Sequence, residues 1–411
     1  MEPRPSEQID PTPRGLQALG DLATPAGFQA LRDTLGRLAP DTIAGNERIK
    51  NFLAKLGELR VEIPELLRDL AQTGPEEARG PLLRVPEGGA VPQFVRDPHP
   101  IDLERVLVVT KQSKVQYDMA RYGWTDAQLQ EEYARGPEDK TRILKSHQRQ
   151  MAALDVLSSY ISPERIVSRN ALRPADIAAA SLVIAFGGDN HLQFVSHAID
   201  DETPLWGMNS DPQTSFGALL GGNIKDLPPA LGALSRGEYR FEPWTRLRVE
   251  IDGRPLPSAL CDVYIGERER KYMSRHRLEV TDDTGRKASL EQKSSGMLVI
   301  TGAGSSGWAR SAGRYLHGGD CDFPRESRYS RFLLTEPSLA IPGAEDPPRQ
   351  SALPTLCNGI LLEGESLVVH SLNDSDGIVS IDSLEEVQFP RGRTVTVRLD
   401  SQPLWVPVVA L

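Results

Sequence analysis

An aspartate that directly follows two glycines is the residue of this sequence best placed to do chemistry. Asp189 comes after Gly187-Gly188, which end the apolar run Leu182–Phe186, and a helical pattern begins behind it. Strand, glycine turn and helix start together form an anion site, because bare backbone lets a phosphate approach and helix N–H groups point at it. A carboxylate suits this place if it accepts the proton of an attacking hydroxyl or helps to hold Mg²⁺. The alternative interpretation is a helix N-cap.

A second glycine-rich stretch, Gly302-Ala303-Gly304-Ser305-Ser306-Gly307, lies between a predicted strand and a helix that begins at Trp308. It matches G-x-G-x-x-G, but a Rossmann dinucleotide site needs this loop in an early βαβ unit, with an acidic residue about 20 positions on. HGGDCDFPRES follows instead. We interpret the loop as a source of N–H and hydroxyl donors for phosphates, and a tight strand-to-helix turn is the alternative.

Composition excludes several classes of protein. Hydrophobic residues make up 39% of the 411 residues and charged residues 25%, as in soluble globular proteins. A net charge of -10 argues against nucleic-acid binding. The sequence has no apolar run of about 18 residues and no signal peptide, so we expect no membrane contact. Three widely separated cysteines predict neither a disulfide framework nor a metal site, and with the other features they indicate a cytoplasmic protein.

Hydrophobic periodicity predicts an α/β half followed by a β-rich half. We expect disorder over 1–14, a helical module over 15–73 and a linker over 74–100. Strands alternate with helices over 101–240, which predicts a parallel sheet with ligands at the carboxyl ends of its strands, where Asp189 and Asn209 stand. Short alternating strands predict mostly antiparallel sheet over 241–411. Lys111, after the first strand, is a candidate phosphate ligand, whereas His191 and His197 are six positions apart and are not expected to bind a metal.

Six motifs in a fixed order carry a resemblance to a known family. They are VLVVTK at 106–111, FGGDN at 186–190, WGMNSDP at 206–212, ALCDVYIGE at 259–267, QKSSGMLVITGAGSSGW at 292–308 and LLTEP at 333–337. Together they resemble the NAD kinases, and in detail the mitochondrial-type branch of that family. The similarity runs from about residue 105 to the C-terminus.

The resemblance implies an NAD-kinase-like fold of two lobes, an α/β N-lobe with a parallel sheet and a β-rich C-lobe that binds NAD, preceded here by the helical module. It implies an ATP-dependent NAD kinase, with NAD(H) and ATP as substrates, Mg²⁺ arriving with ATP, and no tightly bound cofactor. It also implies a homodimer or higher homo-oligomer. Asp189 takes the role of the catalytic carboxylate, which accepts the proton of the 2′-hydroxyl of the adenosine ribose.

The remaining site residues follow from the same motifs. Those expected at NAD are Gly188, Asn190, Asn209, Asp211, Cys261, Asp262, Ser305, Ser306 and Trp308. Those expected at phosphates are Gly187, Gly302, Gly304 and Lys111. No residue is expected to bind a metal.

Four positions depart from the family pattern. Asn190 and His191 replace Gly and Thr, Cys261 replaces Asn, and Ala303 replaces Thr. Asn tolerates left-handed backbone, so the turn at Asn190 is expected to keep a glycine-like conformation. These departures leave two alternatives open, a non-catalytic NAD or nucleotide sensor on the same fold and a lipid or sugar-lipid kinase with a related GGD loop.

Overall fold

The structure, a computed structural model, describes residues 94–136, 139–269, 271–281, 287–317, 322–338 and 358–410. The predicted disordered segment, the helical module and most of the linker lie outside these residues. The described part begins just before the first strand of the α/β half. It contains all the residues that the sequence analysis assigns to the site.

The first half of the described chain is a parallel five-stranded sheet flanked by helices. The strand order is β2-β1-β3-β4-β5, and every pair in it is parallel. The strands are β1 Val106–Thr110, β2 Ile166–Ser168, β3 Leu182–Gly187, β4 Leu205–Asn209 and β5 Gly222–Asn223. The helices are α1 Lys114–Tyr122, α2 Asp126–Arg135, α3 Lys140–Ser158, α4 Pro174–Ala178, α5 Asp189–Ser196 and α6 Leu227–Arg236.

This strand order places a topological switch point between β1 and β3. From β1 the sheet grows to β2 on one side, and β3 then lies on the other side of β1. In open parallel sheets, ligands bind at the carboxyl ends of the strands that flank such a point. Lys111 follows β1 and Gly188-Asp189 follow β3, so both predicted phosphate segments border the crevice.

The second half is built from antiparallel sheets. β6 Arg240–Trp244 pairs with β19 Leu404–Val408, and the other strands form two six-stranded sheets. One has the order β11-β10-β15-β18-β7-β8, with bounds Lys287–Ser294, Ser274–Thr281, Ser366–Ser371, Thr394–Leu399, Leu247–Ile251 and Arg254–Pro255. The other has the order β14-β13-β12-β9-β16-β17, with bounds Asn358–Leu362, Tyr329–Leu334, Met297–Ile300, Asp262–Glu267, Gly377–Ile381 and Glu385–Gln388. Helix α7 Trp308–His317 follows β12.

Burial explains why the two halves differ in sequence texture. In β1, Val106 and Val108 join the hydrophobic cluster on one face of the parallel sheet, whereas Leu107 and Val109 join the cluster on the other. A strand covered on both faces is continuously apolar. In β7, Leu247, Val249 and Ile251 point into the core between the two antiparallel sheets, and polar residues alternate with them. The predicted fold class is therefore confirmed in both halves.

Several elements differ from the sequence prediction. Helix α5 begins at Asp189, earlier than expected. The elements that were not predicted are α1, α6, β5, β6, β8, β11, β14, β17 and β19. β11 and β14 carry few β-branched residues, so their strand character comes from pairing with β10 and β13. No helix in the described residues has the length and apolar character needed to cross a membrane.

Candidate active site

The carboxyl edge of the parallel sheet gathers polar groups from four strands. Along the sheet order, Arg169 follows β2, Lys111 follows β1, Asp189 follows β3 and Asn209 ends β4. Parallel strands all end at the same edge, so residues far apart in sequence become neighbours there. Arg169 was not predicted, and its position directly after a strand is the signal that would have identified it.

Asp189 is fixed by a loop that follows the neighbouring strand. Its two carboxylate oxygens accept hydrogen bonds from the backbone N–H groups of Ala218, at 3.0 Å, and Leu219, at 2.9 Å. Gly188 occupies the N-cap position and no side chain caps the helix, so the interpretation of Asp189 as an N-cap is wrong. Asp189 as a whole is partly exposed.

The two departures that follow Asp189 fit the local structure. Asn190 is exposed and lies inside the right-handed helix, so the expected left-handed turn is wrong and the position has no need of glycine. His191 is buried and its Nε2 lies 2.8 Å from the carbonyl oxygen of Val109. Burial lowers the pKa of His191 to about 4, with help from nearby cations, so the ring is neutral at pH 7. A side chain on Gly187 would collide with this ring.

Two cations stand beside the glycine turn. The Lys111 ammonium lies 3.7 Å from the place where a Cβ on Gly188 would stand. Burial lowers the pKa of Lys111, Asp211 opposes this effect and Arg169 adds to it. Burial also lowers the pKa of Arg169, whose guanidinium stacks 3.9 Å above the Phe194 ring. Neither cation has a salt bridge within the described part of the chain, and partly buried charges without such a partner are candidate contacts for an anion.

The predicted turn Asn209–Asp211 is held by its own side chains and by α3. The Asp211 carboxylate accepts a bidentate pair from Arg149, at 2.7 and 2.9 Å, and further bonds from Ser146 and Thr214. Burial acts to raise the pKa of Asp211, but these hydrogen bonds outweigh it and lower the pKa to about 2. Asn209 binds the backbone of Asp211 and Ser215. Asp211 is therefore an ionised anchor of this turn.

Cys261 and Asp262 open strand β9 on the other side of the site. Both are buried, and burial raises the pKa of the Cys261 thiol well above its usual value. Burial, together with the nearby Asp382, raises the pKa of Asp262 to about 7. Its Oδ1 has no hydrogen-bond partner among the described residues. A buried acid with an unused oxygen is a strong candidate to receive a polar group of a ligand.

The second glycine loop packs against this segment without room for side chains. A Cβ on Gly304 would collide with the carbonyl oxygen of Cys261, and one on Gly302 would collide with that of Pro324. Ser305 is buried and donates to the Gly302 carbonyl, whereas Ser306 is exposed. These glycines therefore let the loop backbone pack closely against neighbouring backbone. The sequence predicts them at phosphates instead.

A cavity of about 350 Å³ lies beside this loop. One of its lining residues, Arg325, also contacts the loop whose backbone binds Asp189. The others include Ser305 and Ser306. The Arg325 guanidinium donates to the carbonyl oxygen of Ala218 at 2.5 Å and stacks 4.5 Å above the Trp244 ring. Arg325 was not predicted, since nothing in its local sequence marks it.

Trp308 begins helix α7 and is half-buried against Tyr264, with ring centroids 5.2 Å apart. Stacking on a protein ring explains its place without a ligand. Its predicted contact with NAD stays a prediction.

Comparisons with known proteins agree with the resemblance. A probable NADH kinase of Oryza sativa subsp. japonica is 26% identical over 264 residues, which cover 60% of this chain and 75% of that protein. Human NAD kinase 2, mitochondrial, is 25% identical over 297 residues, which cover 60% of this chain and 64% of that protein, less than two thirds of its length. No protein-family model matches the chain.

A solved structure shows the same fold. Yeast NADH kinase complexed with NADH superposes with a TM-score of 0.50 at 13% identity, covering 77% of this chain and 90% of that one. The predicted resemblance to the NAD kinases, in sequence and in fold, is thus confirmed.

The unpaired acid gives a prediction about stability. Because the pKa of Asp262 is raised to about 7, the folded protein keeps a proton that the unfolded chain releases between about pH 4 and 7, so the free energy of unfolding falls as pH rises through this range. Asp262→Asn removes this effect. We expect the difference in unfolding free energy, variant minus wild type, to be about 2–3 kcal/mol larger at pH 8 than at pH 5.

Denaturant unfolding of both proteins at the two pH values measures this difference. The exposed Asp155→Asn is the control and should run parallel to wild type. If the unfolding free energies of Asp262→Asn and wild type differed by the same amount at both pH values, Asp262 would be ionised and solvated in the folded protein.

Proposed function

We infer that this chain, a relative of the NAD kinases, is itself an NAD kinase that phosphorylates the adenosine-ribose 2′-hydroxyl of NAD(H) with Mg-ATP. The observation that carries the proposal is the carboxylate of Asp189, a partly exposed residue held at the carboxyl edge of the sheet next to two half-buried cations, Lys111 and Arg169. A carboxylate can take a proton from a hydroxyl, and the cations can hold the phosphates of the donor.

The proposed reaction needs no covalent intermediate with the protein. The 2′-oxygen forms a bond to the γ-phosphorus, the bond from that phosphorus to the β,γ-bridging oxygen breaks, and ADP leaves. The hydroxyl proton passes to Asp189. Mg²⁺ enters with ATP and neutralises phosphate oxygens. The two N–H donors from Ala218 and Leu219 keep the Asp189 carboxylate in one orientation.

The donor end of the site is assigned from charge. Arg169 lowers the pKa of Lys111, which lies beside Gly188, so holding these two cations near each other costs free energy in the absence of an anion. Triphosphate binding would relieve this repulsion. Gly188 is partly exposed and carries no side chain next to Lys111, and we assign the donor phosphates to this corner.

The acceptor end is assigned from the C-lobe. Asp262 has the unused oxygen, and Ser306 is exposed at the mouth of the cavity. We place NAD between these groups and Asp189, with Asn209 and Asp211 shaping the turn beside it. We also propose that the protein is cytoplasmic and works as a homodimer or larger assembly. Light scattering would show a mass at least twice the 45.2 kDa of one chain.

Removal of the proposed base is the first test. Asp189→Asn should lower the rate of NADP formation by about 10²–10⁴-fold, because the amide cannot accept the proton. The measurement incubates the protein with Mg-ATP and NAD and detects the product with an NADP-specific dehydrogenase. The exposed Asp155→Asn should keep the wild-type rate.

The result also separates the alternatives. A wild type that binds NAD but forms no NADP from NAD or NADH, with ATP or polyphosphate, would be a nucleotide-binding sensor. Transfer of phosphate to a lipid with no NADP would indicate a lipid kinase.

The cation pair gives a test of the donor end. Arg169→Gln should raise KM for ATP by about 10- to 100-fold, the range for losing a hydrogen bond to a charged group, with little change in KM for NAD. Because Arg169 has no salt bridge in the described residues and repels Lys111, the variant should lose only the stacking contact with Phe194, about 0.5–2 kcal/mol of stability. Steady-state kinetics and thermal unfolding check both points.

Arg135→Gln, which removes an exposed arginine paired with Glu131 on α2, is the matched control. Equal effects of Arg169→Gln on both KM values, or a large loss of stability, would assign Arg169 a structural role instead.

A further inference from the structure

One face of helix α5 runs from the proposed base to the C-lobe. Asp189, Gln193 and His197 follow one another at intervals of four, so they lie on the same side of the helix. His197 is the C-cap and keeps right-handed helical dihedral angles. The helix that starts with the proposed base therefore ends with a histidine on the same face.

Both residues that follow Asp189 on this face contact the segment that carries Asp262. The Gln193 side chain lies close enough to the Cys261 thiol to act on its pKa, which it lowers against the effect of burial. His197 lies 2.7 Å from the Asp382 carboxylate, measured from Nε2 to Oδ2. Both contacts join the two lobes across the site.

Asp382 in turn holds the backbone at the start of β9. Its Oδ2 accepts from the N–H of Leu260 at 2.8 Å, and its Oδ1 accepts from those of Cys261 at 2.7 Å and Asp262 at 2.9 Å. The Asp382 backbone N–H donates to the carbonyl oxygen of Asp262 at 2.9 Å. The residue adopts φ of 50°, a conformation that aspartate accepts more readily than most residues, and it is buried.

We propose that His197 and Asp382 are positioning residues that set the distance between Asp189 and Asp262 by joining helix α5 to strand β9. This inference rests on the proposed function and adds to it the device that aligns the proton acceptor with the acceptor-binding acid. The imidazole N–H of His197 donates a hydrogen bond to the Asp382 carboxylate, which also accepts hydrogen bonds from three backbone N–H groups.

The physical reason is that this network has only one satisfied arrangement. Four donors converge on one buried carboxylate, and a shift of α5 against β9 would leave the carboxylate or the imidazole without its partner. Hydrogen bonds weaken steeply with misalignment, so they hold the two segments in register more tightly than apolar contacts would. Asp189, the proposed base, lies at one end of this connection, and Asp262, the residue proposed to bind the acceptor, lies at the other end.

The test compares two substitutions of His197, whose side chain is more accessible than that of Asp382. His197→Ala removes the donor, and we expect kcat/KM for NAD to fall by about 10- to 100-fold, the range for a hydrogen bond to a charged group. KM for ATP should stay close to wild type, because the donor corner lies at the other end of α5. His197→Gln keeps an N–H donor of similar reach and should restore most of the loss.

His370→Ala is the matched control. His370 is half-buried, contacts Thr394 and pairs with Glu279 on a sheet that carries no proposed site residue, so its removal also deletes a histidine beside a carboxylate and should leave the kinetics unchanged. A folded His197→Ala with wild-type kcat/KM, a glutamine variant as slow as the alanine variant, or a loss shared equally by KM for ATP would overturn the proposal. A lower thermal midpoint with unchanged kinetics would also overturn it.

A failure of the proposed function has a different signature. If the wild type forms no NADP, calorimetric titration with NAD replaces the kinetic assay. Weaker NAD binding by His197→Ala than by wild type would then support the positioning role, whereas equal binding, or no binding by either protein, would overturn it.

Discussion

The candidate site depends on one constraint: ionisable groups are buried or partly buried there without a paired, oppositely charged side chain among the described residues. Lys111 and Arg169 are partly buried near each other, and Asp262 is buried near the carboxylate of Asp382. Each arrangement raises the free energy of the empty site, since like charges repel and burial disfavours ionisation. Under the proposed function, a ligand with phosphates at one end and polar groups at the other would relieve both costs.

The fold supplies the geometry that this charge pattern requires. The switch point between β1 and β3 brings Lys111 beside Gly188, and the absence of a side chain on Gly187 makes room for the buried His191 ring. The second glycine loop serves a different purpose, since its glycines let the loop lie directly on the Cys261 segment. Glycines in the two loops therefore meet different packing demands, although the sequence motifs look alike.

Carboxylates fix each functional segment by accepting hydrogen bonds from distant parts of the chain. Asp189 accepts from the backbone at Ala218 and Leu219, Asp382 accepts from the backbone at 260–262, and Asp211 accepts from Arg149 on α3. Each such bond is directional and joins two elements that meet only in the folded protein. The buried ends of strands and loops around the site are thereby satisfied and held in one arrangement.

The sequence by itself determined the fold class and the position of Asp189 at the carboxyl edge of the parallel sheet. These follow from local pattern, because a continuously apolar strand ended by two glycines already encodes a buried parallel strand with an open turn. The motifs likewise brought Asp262 and the second glycine loop into the discussion. They did so as separate pieces, with no information on their contacts.

Only the tertiary structure decided which groups act together. Arg149, Arg325, His197 and Asp382 carry no local signal, and they matter because folding brings them to residues 60 or more positions away. The same is true of the conformation at Asn190, where the start of α5 set a helical backbone that the turn pattern did not suggest. Periodicity reports which face of an element is buried, but the partner across that face is chosen by the packing of the whole chain.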